Sequence, residues 1–130
     1  MVFNNKPLAT IEERDLQRLI DNQVREGRAI DYKRTLPGGK DLEKKEFLAD
    51  VSSFANASGG YLIFGMDEAE GVATEIKGLA DINVDKEILR LNSILESGLE
   101  PRIPSPEMQI VSLQNGGSAR LWPFGLAQAA

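Results

Sequence analysis

The sequence predicts an α+β fold, in which a mixed sheet of four or five strands is packed with helices. Three segments carry apolar residues at helical spacing, and five short segments are continuously or alternately apolar, as strands are. Their order is helix, strand, helix, strand, strand, helix, strand, strand, which favours layers around one core. The chain has 130 residues, 42% of them hydrophobic and 27% charged, so we expect a single domain over residues 1–130.

The first two elements are predicted from a capping pattern and from alternation. Thr10 and Glu13 have the spacing of a capping box, so the first helix is expected to begin there and to end at Gly27. Residues 28–34 alternate in polarity, which predicts a half-buried strand with Tyr32 facing inward.

The middle of the chain is predicted to be a loop, a helix and a strand hairpin. Residues 35–40 contain Pro-Gly-Gly and should form the loop. A helix from Asp41 to about Asn56 follows, on the helical spacing of its apolar residues, which also predicts that Phe54 lies in the core. Residues 60–66 are apolar throughout, which is typical of a strand covered on both faces, and 67–71 should be the turn to its hairpin partner. That partner is expected over residues 72–78, and the third helix over 84–97. The last hairpin is expected to pair residues 107–113 with 119–122.

Three residues are predicted to make the corner between the second helix and the apolar strand. Gly59 suits the left-handed conformation of a helix C-cap, and Gly60 lets two backbones approach closely. The side chain of Asn56 can form a hydrogen bond within this turn. A corner without any ligand remains the simpler interpretation.

Composition excludes several classes of site. The chain has no cysteine and no histidine, so disulfides, thiolate metal sites and His- or Cys-dependent triads are excluded. A metal would need oxygen ligands, which suits Mg²⁺, Mn²⁺ or Ca²⁺. No signal pattern or long apolar run is present, so we expect a cytoplasmic protein with no membrane contact.

The positive charges are concentrated in one part of the chain. The net charge is −5, which argues against indiscriminate nucleic-acid binding, yet residues 25–45 hold seven basic and four acidic side chains. We predict that this segment contacts the phosphate backbone of DNA or RNA. A solvated mixed surface is the alternative. The predicted contact residues are Arg28, Lys33, Arg34, Lys40, Lys44 and Lys45.

Two sequence elements resemble the Schlafen-type AlbA-like domain family. The first contributes Glu26, Asp31, Tyr32 and Lys33, and the second contributes Phe54, Ala55, Asn56, Gly59, Gly60, Gly65 and Asp67. The resemblance implies an α+β domain that binds nucleic acid, in the manner of a transcription regulator. Asp31 stands where the family usually has Glu, and the chain stops after only a remnant of the family's Pro-aromatic turn, at 122–125. It is therefore expected to be C-terminally truncated or a fragment of a longer protein.

The resemblance also implies an alternative activity. Some family members are metal-dependent ribonucleases with three acids, which correspond here to Glu26, Asp31 and Asp67. These would hold Mg²⁺ or Mn²⁺, and Lys33 would neutralise charge on the scissile phosphate. The same acids could instead be ordinary surface groups. A third interpretation is a regulatory interaction module, whose apolar segment 121–127 docks a second copy, another chain or a missing C-terminal region.

Overall fold

The computed structural model describes residues 3, 6–27, 29–56, 59–79, 83–98, 107–108, 110–113 and 120–126. The fold is mixed α+β, as predicted, and none of the described helices has the length and apolar character to cross a membrane. After a 3-10 turn over Leu8–Thr10, the helices are α1 (Glu13–Asp21), α2 (Asp41–Asn56) and α3 (Val84–Gly98). The strands are β1 (Ile30–Lys33), β2 (Gly60–Phe64), β3 (Met66–Ala69), β4 (Val72–Ile76), β5 (Glu107–Met108), β6 (Val111–Ser112) and β7 (Arg120–Leu126).

The main sheet has five strands and both parallel and antiparallel pairs. Its order is β1-β2-β7-β5, and β6 also pairs with β7. β1 and β2 are parallel, with Asp31 opposite Leu62, whereas β2 and β7 are antiparallel. β3 and β4 form a separate antiparallel hairpin. The predicted mixed sheet of four or five strands is confirmed.

Alternate side chains of β2 enter two different clusters of buried residues. Ile63 belongs to the cluster that includes Tyr32 of β1 and the buried side chains of α1. Leu62 and Phe64 belong to the second cluster, with residues of α2 and α3. Both faces of β2 are therefore covered, as its continuous apolar run predicted.

The first helix differs from its prediction at both ends. Glu12 is the N-cap, and its backbone N–H donates to Asp15 Oδ2 at 2.8 Å, while the Thr10 hydroxyl donates to the Pro7 carbonyl. Burial alone would raise the pKa of Asp15, but hydrogen bonds from Lys6 and Glu12 outweigh it and lower the pKa. The helix ends at Asp21 rather than at Gly27, because the chain turns out of it through Gln23 at φ 50°. The capping box lies two residues later than predicted, which explains the difference at the start of the helix.

The predicted turn at 67–71 is also wrong, because Gly65 interrupts the apolar segment. At φ 93° its N–H donates to the Lys33 carbonyl at 2.7 Å, and β3 starts in a new direction. Asp67 therefore lies within β3, opposite Glu75. The turn itself is the pair Glu70-Gly71, whose positive φ values of 52° and 85° suit a two-residue hairpin.

The C-terminal apolar segment pairs within the chain. Residues 120–126 form β7 between β2 and the short strands β5 and β6, with Pro123 opposite Ile63 and Gly125 opposite Tyr61. The backbone of 121–126 is thus paired within the sheet rather than forming a free tail, and docking of a partner by this segment stays a prediction. Proline and glycine obscured the strand because both are rare inside sheets.

The outer edge of β1 is covered by the residues that precede it. In a parallel strand, each residue directs its N–H and its C=O to the same side, and this side alternates along the strand. In β1, Ile30 and Tyr32 direct theirs away from β2. The Gly27 N–H donates to the Ile30 carbonyl at 3.0 Å. The Tyr32 N–H donates to Glu26 Oε2, also at 3.0 Å.

Candidate nucleic-acid interface

The corner after α2 is built closely around Phe54. Gly59 has φ 89°, and its N–H donates to the Phe54 carbonyl at 2.9 Å. A β-carbon on Gly60 would lie 2.7 Å from Cδ1 of Phe54, so only glycine fits there without a shift. The side-chain hydrogen bond predicted for Asn56 lies outside what the structure describes. The two glycines form a structural corner with Phe54 at its centre.

Two of the three predicted acids meet beside the edge of β1. The carboxyl groups of Glu26 and Asp31 interact, and Glu68 adds further negative charge nearby. Burial, the Asp31 contact and this charge raise the pKa of Glu26 to about 7, although the Tyr32 N–H opposes the shift. The Tyr32 hydroxyl donates to the Val24 carbonyl, and burial together with Glu26 raises its pKa to about 12. Glu26 therefore has the pKa of a group that is partly protonated near neutral pH.

Lys33 forms salt bridges with Asp31 of β1 and with Asp50 of α2. Its Nζ lies 3.4 Å from Asp31 Oδ2 and 3.5 Å from Asp50 Oδ2. Burial would lower the pKa of Lys33, but the two carboxylates outweigh it and raise the pKa. Burial raises the pKa of Asp50, against the opposing effect of Lys33. Lys33 is held between two acids, which neutralise it in place.

The third predicted acid is paired elsewhere. Asp67 Oδ1 lies 3.9 Å from Nε of Arg34, on the side of β3. Among the described residues, which include all three predicted acids, no group of three or more acids is arranged to hold a metal ion. Glu26, Asp31 and Asp67 do not form such a group in the described part of the chain.

The predicted basic residues differ in whether the structure gives them an acidic partner. Arg28 lies outside the described residues, and Lys33 is held as above. Arg34 keeps 67% of its side chain exposed beside Asp67. Lys40 is exposed just before α2, Lys45 is exposed on its first turns, and Lys44 is half-buried between them. Within the described ranges, none of these three lysines forms a salt bridge.

A pocket of about 180 Å³ opens between the end of β1 and α2. Its apolar lining comes from the second buried cluster, and its polar lining mixes acids and bases. The main apolar side chains are Leu36, Phe47, Leu62 and Phe64. The charged ones are Lys33, Arg34, Glu43, Glu46 and Asp50.

Sequence analysis missed the three acids of α2 that line this pocket. Glu43, Glu46 and Asp50 are spaced three and four residues apart, which places them on one face of a helix. That spacing predicts a shared acidic face on the helix, but nothing in the sequence shows that this face borders the end of β1. Only the pairing of β1 with β2 beneath α2 brings Asp50 to Lys33.

Comparison with models of protein families gives a match over most of the chain. Residues 26–124 match the family model described as Schlafen, AlbA_2, which is most of the chain and includes β1 through Phe124 of β7. No match was found among curated proteins.

Proposed function

This chain belongs to the Schlafen AlbA_2 family, and from that premise we propose that it binds nucleic acid through the lysines at the start of α2. The family is consistent with a nucleic-acid-binding role. The observation that carries the proposal is that Lys40, Lys44 and Lys45 form no salt bridge within the described part of the chain, although the protein is acidic overall. Lysines that hold no internal partner are available to replace counterions on a phosphate backbone.

The contact is expected to come from side chains rather than from the amides of the helix start. Asp41 and Glu43 occupy the first turn of α2, where they complement the helix dipole and repel an approaching phosphate. A β-carbon on Gly38 would overlap the carboxylate of Glu43, so this acid lies against the loop before the helix. The phosphate therefore meets Lys40 and Lys45 from outside.

Arg34 extends the basic surface towards the end of β1. Its guanidinium is 67% exposed, and its 3.9 Å separation from Asp67 is the longest of the salt bridges between described residues. Surface pairs of this kind contribute little and are readily exchanged. Tyr32 is 3% exposed and cannot stack on a base from this strand. The lysine surface should therefore recognise backbone charge with little sequence preference.

Charge reversal tests the proposal. Lys40→Glu, Lys44→Glu and Lys45→Glu combined should abolish binding of fluorescein-labelled duplex DNA and hairpin RNA at low salt, measured by anisotropy. Lys86→Glu, on the exposed part of α3, is the control and should bind as the parent does. Equal binding by the triple variant and the parent would refute the lysine assignment.

The ribonuclease alternative finds partial support in the same region. Glu26 and Asp31 do meet, with Lys33 beside them, which matches part of the expected arrangement. Asp67, however, pairs with Arg34. We therefore favour binding without cleavage.

A further inference from the structure

We propose that the pocket between β1 and α2 takes up one unpaired nucleobase that carries an exocyclic amino group. This inference rests on the proposed function and adds to it a preference for amino-bearing bases over uracil. The lysine surface would hold the strand, and the pocket would select the base.

The apolar side chains form only the floor of this pocket, because Phe47, Leu62 and Phe64 are each at most 3% exposed, so an inserted base would rest on the floor without stacking on a ring face. Phe47 and Phe64 approach with ring centroids 6.2 Å apart at 49°, and Leu62 lies on the same face of β2 as Phe64. At about 180 Å³ the pocket is smaller than the roughly 300–1,000 Å³ of pockets that enclose drug-sized ligands. It has room for a base but not for a whole nucleotide, so the sugar and phosphate would remain outside.

The polar lining favours hydrogen-bond donors. Glu43, Glu46 and Asp50 present acceptor oxygens from one face of α2. Lys33, the donor nearest to them, already contacts Asp31 and Asp50. Cytosine, adenine and guanine each carry an exocyclic amino group whose N–H can donate to such a carboxylate. Glu and Asp accept from cytosine N4 in this way when proteins read DNA. Uracil offers only its N3–H, which is flanked by two carbonyl oxygens that the same negative charge would repel.

Arg34 is the cation of the pocket lining that a phosphate of the strand can reach, because its side chain is 67% exposed, whereas Lys33 is held by Asp31 and Asp50. A base inside a duplex cannot reach a pocket of this kind without leaving its stack, whereas single-stranded loops present their bases freely. The expected ligand is therefore a single strand or loop, held by its phosphates with one base inserted.

Short labelled oligo(rC) and oligo(rU) provide a matched pair of probes, because both are single strands with the same backbone. The parent should bind oligo(rC) about tenfold more tightly than oligo(rU) in an anisotropy titration, since one good base contact is worth that factor or more. Glu46→Gln and Asp50→Asn should each bring the ratio of the two dissociation constants towards one. Glu96→Gln, an exposed acid of α3 outside the pocket, should keep the parent's ratio. Thermal unfolding of each variant verifies that the fold is retained.

The outcomes separate this inference from the proposed function. Equal affinity of the parent for both oligonucleotides would overturn the pocket assignment and leave the lysine surface standing. A tenfold ratio that survives both Glu46→Gln and Asp50→Asn would overturn it too, because the selectivity would come from another surface. Binding of neither oligonucleotide, nor of duplex or hairpin, would refute the proposed function itself.

Discussion

Glu26 and Asp31 are two interacting carboxyl groups, an arrangement that favours the protonated form of Glu26. Glu26 also accepts the Tyr32 N–H at 3.0 Å, so it is fixed on the edge of β1. Its negative neighbours, Asp31 and Glu68, belong to different strands, and both raise the pKa of Glu26. The protonation of Glu26 is therefore linked to the stability of the folded chain.

The first prediction is a dependence of stability on pH. The folded-state pKa of Glu26 is about 7 against an ordinary 4.5, so the folded chain binds the proton more tightly than the unfolded one. The stabilisation is complete below pH 4.5 and is lost as the pH rises through about 7. Glu26→Gln, which mimics the neutral acid, should flatten the decline of the unfolding midpoint from about pH 5 to about pH 8. Glu96→Gln should not alter it, and parallel curves for parent and Glu26→Gln would contradict the assignment.

The second prediction concerns salt. Binding of duplex DNA by the parent should weaken as salt rises, because released counterions drive it. Lys45→Gln should lower the slope of log K against log salt by about one phosphate contact. The same change at Lys86 should leave the slope as it is, and an unaltered slope in Lys45→Gln would remove this lysine from the interface.

The third prediction tests the close approach at the corner after α2. Gly60→Ala places a methyl group 2.7 Å from Cδ1 of buried Phe54, so we expect a loss of about 1–3 kcal/mol in the free energy of unfolding. Gly39→Ala is the control, because nothing lies within 4 Å of its added methyl group. Similar denaturant midpoints for the two variants would show that the corner is less closely packed.

The fourth prediction is that Phe54 is a major core residue. It is 4% exposed and belongs to the second buried cluster, so Phe54→Ala should cost about 3–5 kcal/mol. Chemical denaturation measures the change. A loss well under 1 kcal/mol would be incompatible with the observed face of α2.

The fifth prediction concerns metal. Because no group of three or more acids among the described residues is arranged to hold a metal ion, we expect that neither Mn²⁺ nor EDTA changes the unfolding midpoint and that labelled RNA remains intact. Cleavage that requires Mn²⁺ and disappears in Asp31→Asn would establish the ribonuclease alternative instead.

Local patterns predicted those features that depend on neighbours in sequence. Alternation placed Tyr32 inward, and helical spacing placed Phe54 in the core, since each rule follows from the geometry of one element. The pairing of Lys33 with Asp31 across two residues of β1 was predictable for the same reason.

Features that depend on strand order were not predictable in this way. Asp50 reaches Lys33 only because α2 crosses the face of β1 and β2. Pro123 and Gly125 hid an interior strand, since local propensity disfavours both residues there while the pairing with β2 outweighs it. Gly65 moved Asp67 into a second sheet through one positive φ value, which the composition of the segment does not specify.

The covered edge of β1 bears on how copies of this protein behave at high concentration. An exposed edge strand offers unpaired amides and carbonyls to any other extended chain, and open-ended assembly often starts there. Here Glu26 and the Gly27 N–H occupy those groups, and the carboxylate adds charge that repels a second identical edge. Protonated Glu26 can still accept the Tyr32 N–H, so the covering persists in acid while the repulsion does not. We therefore expect the residue that sets the pH response also to disfavour edge-to-edge assembly of the strand that carries Asp31 and Lys33.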